Sequence, residues 1–88
     1  YRSSGRPEVN FAIERLIDMA AKDLGIDRVT LRRRNLVKRK AFPYTNAVGA
    51  TYDSGDYGAQ LDLALEISDY KGFAKRKRES AKRGLLRG

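Results

Sequence analysis

The stretch Pro7-Glu8-Val9-Asn10-Phe11-Ala12-Ile13-Glu14-Arg15-Leu16-Ile17-Asp18-Met19-Ala20-Ala21-Lys22-Asp23-Leu24-Gly25 decides the fold. Val9, Ile13, Leu16, Ile17, Ala20, Ala21 and Leu24 recur at helical spacing. Glu14, Arg15, Asp18, Lys22 and Asp23 fall mostly on the other face. Pro7 suits a first helical turn because its missing N–H would be unpaired there anyway. Glu8 then faces the positive end of the helix dipole. Gly25 is placed to stop the helix in a left-handed cap, with Ile26 as the apolar residue just beyond. The spacing predicts a helix over 7–24. Within it Glu14 and Asp18 repel weakly across one turn, while Asp18 and Lys22 form a favourable pair at the same spacing.

Outward from this helix, Asp27 is a natural N-cap for a second, shorter helix to about Leu36, with Val29, Leu31 and Leu36 as its apolar residues. Arg32, Arg33 and Arg34 fall in its last turns, where cations suit the negative end of the dipole. The short connection predicts an αα-hairpin or corner. Residues 37–56 read as an irregular loop. Phe42-Pro43-Tyr44 is extended or turn-like, Gly49 and Asp53-Ser54-Gly55 punctuate it, and Ala50-Thr51-Tyr52 forms a strand only if it finds a partner. Two further helices follow over 57–84. Asp56 caps the first, with Tyr57, Leu61, Ala64, Leu65 and Ser68 on one side and Leu63 and Ile67 widening the stripe. The second, Lys71 to Arg83, is very basic, has only Phe73, Ala74 and Ala81 for packing, and ends at Gly84. Leu85-Leu86-Arg87-Gly88 reads as the start of another element. The fold class is mainly α: about four helices with an irregular loop.

The chain has 88 residues, of which 41% are hydrophobic and 34% charged, enough for one small domain with a modest core. It contains no cysteine and no histidine. That excludes disulfides, thiolate metal sites and histidine-based acid–base catalysis within these residues. The formal net charge is +8, which points to a polyanionic partner. No apolar run approaches the ~18 residues of a membrane span. No secretory leader is visible, and the lack of cysteine fits a cytoplasmic compartment. The opening without Met gives the expectation of a piece cut from a longer chain.

Each charged cluster has a plain structural explanation. The basic residues of the fourth helix go around it and are interrupted by Glu79. No zinc-finger spacing, RNP-like aromatic pair or Gly-Lys phosphate loop accompanies them. A small basic helical module binding nucleic acid or another polyanion is therefore the alternative reading, with steep salt dependence as its signature. Arg32, Arg33 and Arg34 point ~100° apart on a helix and cannot address one ligand together. Structural use of at least one is expected. Asp53 and Asp56 lack the ligand pattern of a calcium loop, and turn formation and helix capping account for both. No nucleophile–base pair is present. The opening turn, Arg2-Ser3-Ser4-Gly5-Arg6, has two readings: a plain helix entry in which Gly5 turns and Pro7 starts the helix, which composition alone favours, and an anion-binding corner, since backbone N–H groups and two arginines converge upstream of a helix N-terminus.

The residues Tyr1-Arg2-Ser3-Ser4-Gly5-Arg6-Pro7-Glu8 resemble a stretch of the molybdenum hydroxylase large subunits, the family of xanthine dehydrogenase, aldehyde oxidase and the large chain of aerobic carbon monoxide dehydrogenase. The resemblance continues through Ile13-Glu14-Arg15-Leu16-Ile17-Asp18, Leu24-Gly25-Ile26-Asp27 and Leu31-Arg32-Arg33-Arg34-Asn35-Leu36. It resumes at Phe42-Pro43-Tyr44 and Thr51-Tyr52-Asp53-Ser54-Gly55-Asp56-Tyr57, and closes at Lys82-Arg83-Gly84 with Arg87-Gly88. It implies that residues 1–88 are a helical segment of a larger α+β molybdopterin-binding region, with 1–6 as a cofactor-side turn, 7–36 as two helices, 37–56 as a loop and 57–84 as two more helices. It implies a molybdenum–molybdopterin cofactor, usually the cytosine dinucleotide in bacteria, and oxidation of a substrate with water as oxygen source. Electrons then pass to iron–sulfur and FAD subunits or domains.

By the same resemblance Arg2, Ser3, Ser4 and Gly5 are the cofactor-binding residues, with the Arg2 N–H approaching the oxygen or sulfur ligands of the metal. No catalytic residue or metal ligand falls in this segment, because the family's glutamate, glutamine and glycine-rich loops lie elsewhere. The segment alone is expected to bind no cofactor and to be inactive. Ser3 stands where copper-containing carbon monoxide dehydrogenases carry a copper-binding cysteine, which argues against CO oxidation. Ser4 stands where xanthine-oxidising relatives carry a stacking phenylalanine, which argues against purines and leaves aldehydes and other N-heterocycles. Nucleic acid and membrane are not expected partners.

Overall fold

The computed structural model describes residues 2–88; Tyr1, quoted above with the opening turn, lies outside the described residues. The described residues form four α-helices and one two-stranded hairpin, in two compact units that divide between Val37 and Lys38.

The first unit is a helical pair. Helix α1 spans Arg6–Leu24 and α2 spans Arg28–Asn35, within a residue or two of the ranges the spacing predicts. Gly25 ends α1 with φ 65°, the left-handed region that a side chain would resist. The Ile26 amide donates to the Ala21 carbonyl at 2.9 Å and the Gly25 amide to that of Lys22 at 3.2 Å. This double closure turns the chain so that α2 packs back on α1. Asp27 caps α2, accepting from the Thr30 amide at 2.9 Å and the Thr30 hydroxyl at 3.2 Å. The Thr30 amide bond is the main reason its carboxyl is held below the ordinary carboxylate value.

The α1 surface against α2 takes only the Ile17 and Ala21 edge of the apolar stripe that sequence spacing picks out. Ala21 is the buried hydrophobic residue of this unit, with Ile17 and Ile26 half-buried. Val9, Ile13, Leu16 and Leu24 stay exposed. Glu14 and Asp18, expected simply to repel, are instead joined by Arg32 from α2. Asp18 takes Arg28 and Arg32 as its ion partners, in place of the Lys22 that helical spacing favours.

The second unit begins with a 3₁₀ turn, Arg39–Ala41, where the sequence predicts an irregular loop. Ala50-Thr51-Tyr52 does find a partner: β1 (Tyr44–Thr45) pairs antiparallel with β2 (Thr51–Tyr52), Tyr44 opposite Tyr52 and Thr45 opposite Thr51. Asn46 builds the connection. Its Oδ1 accepts from the amides of Val48 and Ala50, and its Nδ2 donates to the Tyr52 hydroxyl at 3.1 Å. The Tyr44 and Tyr52 rings stack at 6.2 Å, and Tyr57 meets both Tyr52 and Phe42 edge-on, the geometry that aromatic quadrupoles prefer.

Helix α3, Tyr57–Ile67, starts on Asp56, whose side chain accepts from the Ala59 amide at 3.0 Å. Tyr57, Leu61 and Leu65 are half-buried, whereas Leu63 and Ile67, expected to widen the apolar stripe, are exposed. A 3₁₀ turn, Tyr70–Gly72, leads into α4, Phe73–Lys82, so the fourth helix is shorter than the basic run. Phe73 is half-buried, but Ala74 and Ala81 are exposed and the buried residue of α4 is Ser80. Its hydroxyl accepts from Arg87 Nε at 2.9 Å.

Candidate functional site

The four sequence-selected residues, Arg2, Ser3, Ser4 and Gly5, form one exposed turn at the head of α1. Its backbone is unusual. Ser3 has φ 64° and Gly5 has φ 72°, two left-handed residues within three positions. The glycine adopts this without cost, whereas the serine does not. The Arg6 amide closes the turn on the Ser3 carbonyl at 2.7 Å, and the Val9 amide takes the Gly5 carbonyl at 3.0 Å.

Among the described residues no side chain caps α1. Pro7 has no N–H, and nothing there accepts from the amides of Ser4, Gly5 and Glu8. Alternating left-handed and ordinary backbone of this kind turns successive N–H groups toward one concavity. The helix dipole adds partial positive charge there, and Arg2 and Arg6 flank it in sequence. The corner is chemically suited to donate hydrogen bonds to an anion. The described residues hold no cluster of three or more His, Cys, Asp or Glu groups able to bind a metal.

The clamp behind the turn is only half visible in the sequence. Arg32 Nε donates to Glu14 Oε2 at 2.8 Å and Nη1 to Asp18 Oδ1 at 2.8 Å. Nη1 also reaches the Arg28 carbonyl at 3.1 Å, and Nη2 the Glu14 carbonyl at 3.2 Å. Desolvation works against the charge, but the two carboxylates outweigh it and raise the guanidinium above its ordinary value. One of the three consecutive arginines thus bridges helices, as structural use of the run requires. The Glu14 and Asp18 spacing, one turn apart on α1, is the signal that a planar fork could take both. The guanidinium fixes α1, and hence its head, against α2.

The other candidates keep their plain explanations. Asp56 is a helix cap and Asp53 accepts from the Ser54 hydroxyl at 3.3 Å. Arg76 is committed to the Asp69 carboxylate and to the carbonyls of Asp69 and Ser68. Lys75, Arg78 and Lys82 occupy the side of α4 opposite the buried Ser80, roughly 180° around the helix. No helix among the described residues is long and apolar enough to cross a membrane.

Comparison with known proteins gives this geometry its context. The family described as the molybdopterin cofactor-binding domain matches residues 1–36, the turn with both helices of the first unit. The carbon monoxide dehydrogenase large chain of Hydrogenophaga pseudoflava is 39% identical over 74 residues, covering 83% of this chain and 9% of that protein. The nicotine 6-hydroxylase large subunit of Paenarthrobacter nicotinovorans is 33% identical over 88 residues, 100% of this chain and 10% of that subunit. The crystal structure of quinoline 2-oxidoreductase from Pseudomonas putida 86 superposes with a TM-score of 0.74 at 40% identity, over 83% of this chain and 9% of its own. The chain therefore spans about a tenth of the length of the relatives it matches. It belongs to the molybdenum hydroxylase large-subunit family, of which it is a mainly helical segment within the larger molybdopterin-binding region.

Proposed function

We propose that residues Arg2–Gly5 form a cofactor-side turn of a molybdenum-dependent hydroxylase or dehydrogenase. The observation that carries this reading is the uncapped head of α1, where two left-handed residues leave the amides of Ser4, Gly5 and Glu8 without acceptors among the described residues. Those amides, with Arg2 at the edge, donate to anionic oxygen or sulfur atoms of a molybdenum–molybdopterin group, in the cytosine dinucleotide form. When bound, that group supplies two-electron oxidation of the substrate with an oxygen drawn from water. The residues of this segment hold and orient; they move no proton. Donors fixed in place before the substrate arrives cost no reorganisation during the reaction.

The substrate class we favour is an aldehyde or an N-heterocycle. Ser3 brings a hydroxyl where a copper-binding thiolate would be needed for CO oxidation, and Ser4 brings no ring to stack on a purine. The rest of the large subunit completes the site, iron–sulfur and FAD subunits or domains receive the electrons, and the complex works in the cytoplasm. The 88 residues alone bind no cofactor and turn over nothing, and retention of molybdenum by them through gel filtration would contradict that. The test of the main reading is the metal and pterin content of the full-length large subunit produced with its maturation machinery. Molybdenum with a pterin dinucleotide is expected, whereas a folded subunit without molybdenum would overturn it.

A further inference from the structure

On α1, Val9, Ile13, Leu16, Ala20 and Leu24 fall in one stripe roughly 80° wide. It is centred roughly 120° around the helix from the side where Glu14, Asp18 and Ala21 meet α2. The large members are 56%, 49%, 63% and 66% exposed. This is the most regular apolar feature of the sequence, and α2 does not use it. We infer that the stripe is a docking face whose occupant is the large subunit's own polypeptide outside residues 1–88, an apolar surface of the same cofactor-binding domain.

Three observations favour that occupant. The stripe lies wholly inside residues 1–36, the part matched by the molybdopterin cofactor-binding domain, and about nine-tenths of each matched relative lies outside the aligned region. Its exposed area is on the order of 400 Å², about half of what each partner of a stable dimer buries, so pairing with a second copy through this stripe alone falls short of a stable interface. The polar side of α1 carries Glu8, Glu14, Asp18 and Asp23 beside Arg15 and Lys22, not the lysine- and arginine-rich face of a helix that lies on anionic lipid. On α4 the outward side is instead the exposed, charged row Lys75, Arg78 and Lys82, which serves as the reference position.

Thiol labelling of the full-length large subunit tests this, with maleimide uptake at each position read by peptide mass spectrometry. Leu16→Cys and Ile13→Cys are expected to label at least about ten times more slowly than Arg78→Cys in the folded subunit, a contrast set by local opening of the covered face, and at equal rates after denaturation. Protection must persist in the large subunit separated from its partner subunits and on dilution. Labelling of Leu16→Cys as fast as Arg78→Cys overturns the inference, as does protection lost on separation or dilution. Hydroxyl-radical footprinting of the unmodified subunit provides the same reading without a substitution. Ile13 and Leu16 oxidised as slowly as core residues support it, and oxidation at the rate of free side chains overturns it.

Discussion

Helices α1 and α4 solve opposite problems. The first shows an apolar stripe outward and keeps its ion pairs on the side where α2 packs. The second buries Ser80, holds Arg76 to Asp69, and turns a row of cations outward. A helix with charge at the contact and hydrocarbon outside still has an apolar face to bury; a helix with charge outside needs only water. The difference supports the proposed reading of the first unit as a cofactor-facing insert in a larger body, fixed by a specific polar clamp. The second unit is held by aromatic edges, helix caps and one buried hydroxyl.

The clamp is where the comparison can be broken most sharply. Arg32→Ala removes four acceptor contacts and leaves Glu14 and Asp18 facing each other. Charged hydrogen bonds of this kind are worth up to ~3 kcal/mol each when buried. The Arg32 side chain is only 23% exposed but that of Glu14 is 59% exposed, so solvent screening reduces the total to about 2 kcal/mol. Amide exchange across α2 in the full-length subunit is expected to speed up about thirtyfold by local opening, with Arg34→Ala changing it less than about threefold. Equal effects of the two would refute the clamp.

Gly5→Val forces a β-branched residue to φ 72°, a cost of about 1–2 kcal/mol. Molybdenum content of the purified subunit should fall, while exchange in α3 and α4 stays unchanged. Gly72→Ala is the counterpart in the second unit. A Cβ there would press on the Asp69 carboxylate, 2.8 Å from its Cγ, and stand 2.9 Å from Arg76 Nη1. Loss of the Asp69–Arg76 contact costs about 1 kcal/mol, read as faster exchange in α4 with molybdenum content intact.

The smallest effect concerns pH. The Asp27 carboxyl is held below 3.8, chiefly by the Thr30 amide, so its contribution is present above that value and lost as pH falls through the lowered one. Helix content followed by circular dichroism should show an acid-dependent loss that Asp27→Asn lacks. Parallel acid titrations of the two proteins would contradict the cap.

Much of the helical framework is legible because its signals are local. Gly25, Asp27 and Asp56 act on backbone groups within a few residues, and each does in three dimensions what its type requires. The expectation for Leu63 and Ile67 fails because a helical period identifies apolar positions without saying which neighbour is present to cover them. The Arg32 clamp and the Phe42–Tyr52–Tyr57 cluster depend on contacts far apart in sequence, which spacing within one helix cannot express. The hairpin is conditional on a partner for Thr51-Tyr52, and Asn46, the residue that aligns that partner, carries only a weak turn signal. The corner at Arg2–Gly5 is legible as chemistry, since glycine beside serine and arginine ahead of a proline-started helix leaves donors free.

The central claim is that this corner faces the cofactor while α4 faces solvent. Hydrogen exchange of the full-length large subunit, compared with and without its molybdenum cofactor, addresses both halves at once. Amides of residues 2–8 should gain protection on cofactor loading while those of 73–82 exchange at unchanged rates. Unchanged exchange at residues 2–8 between the loaded and empty subunits would contradict the account.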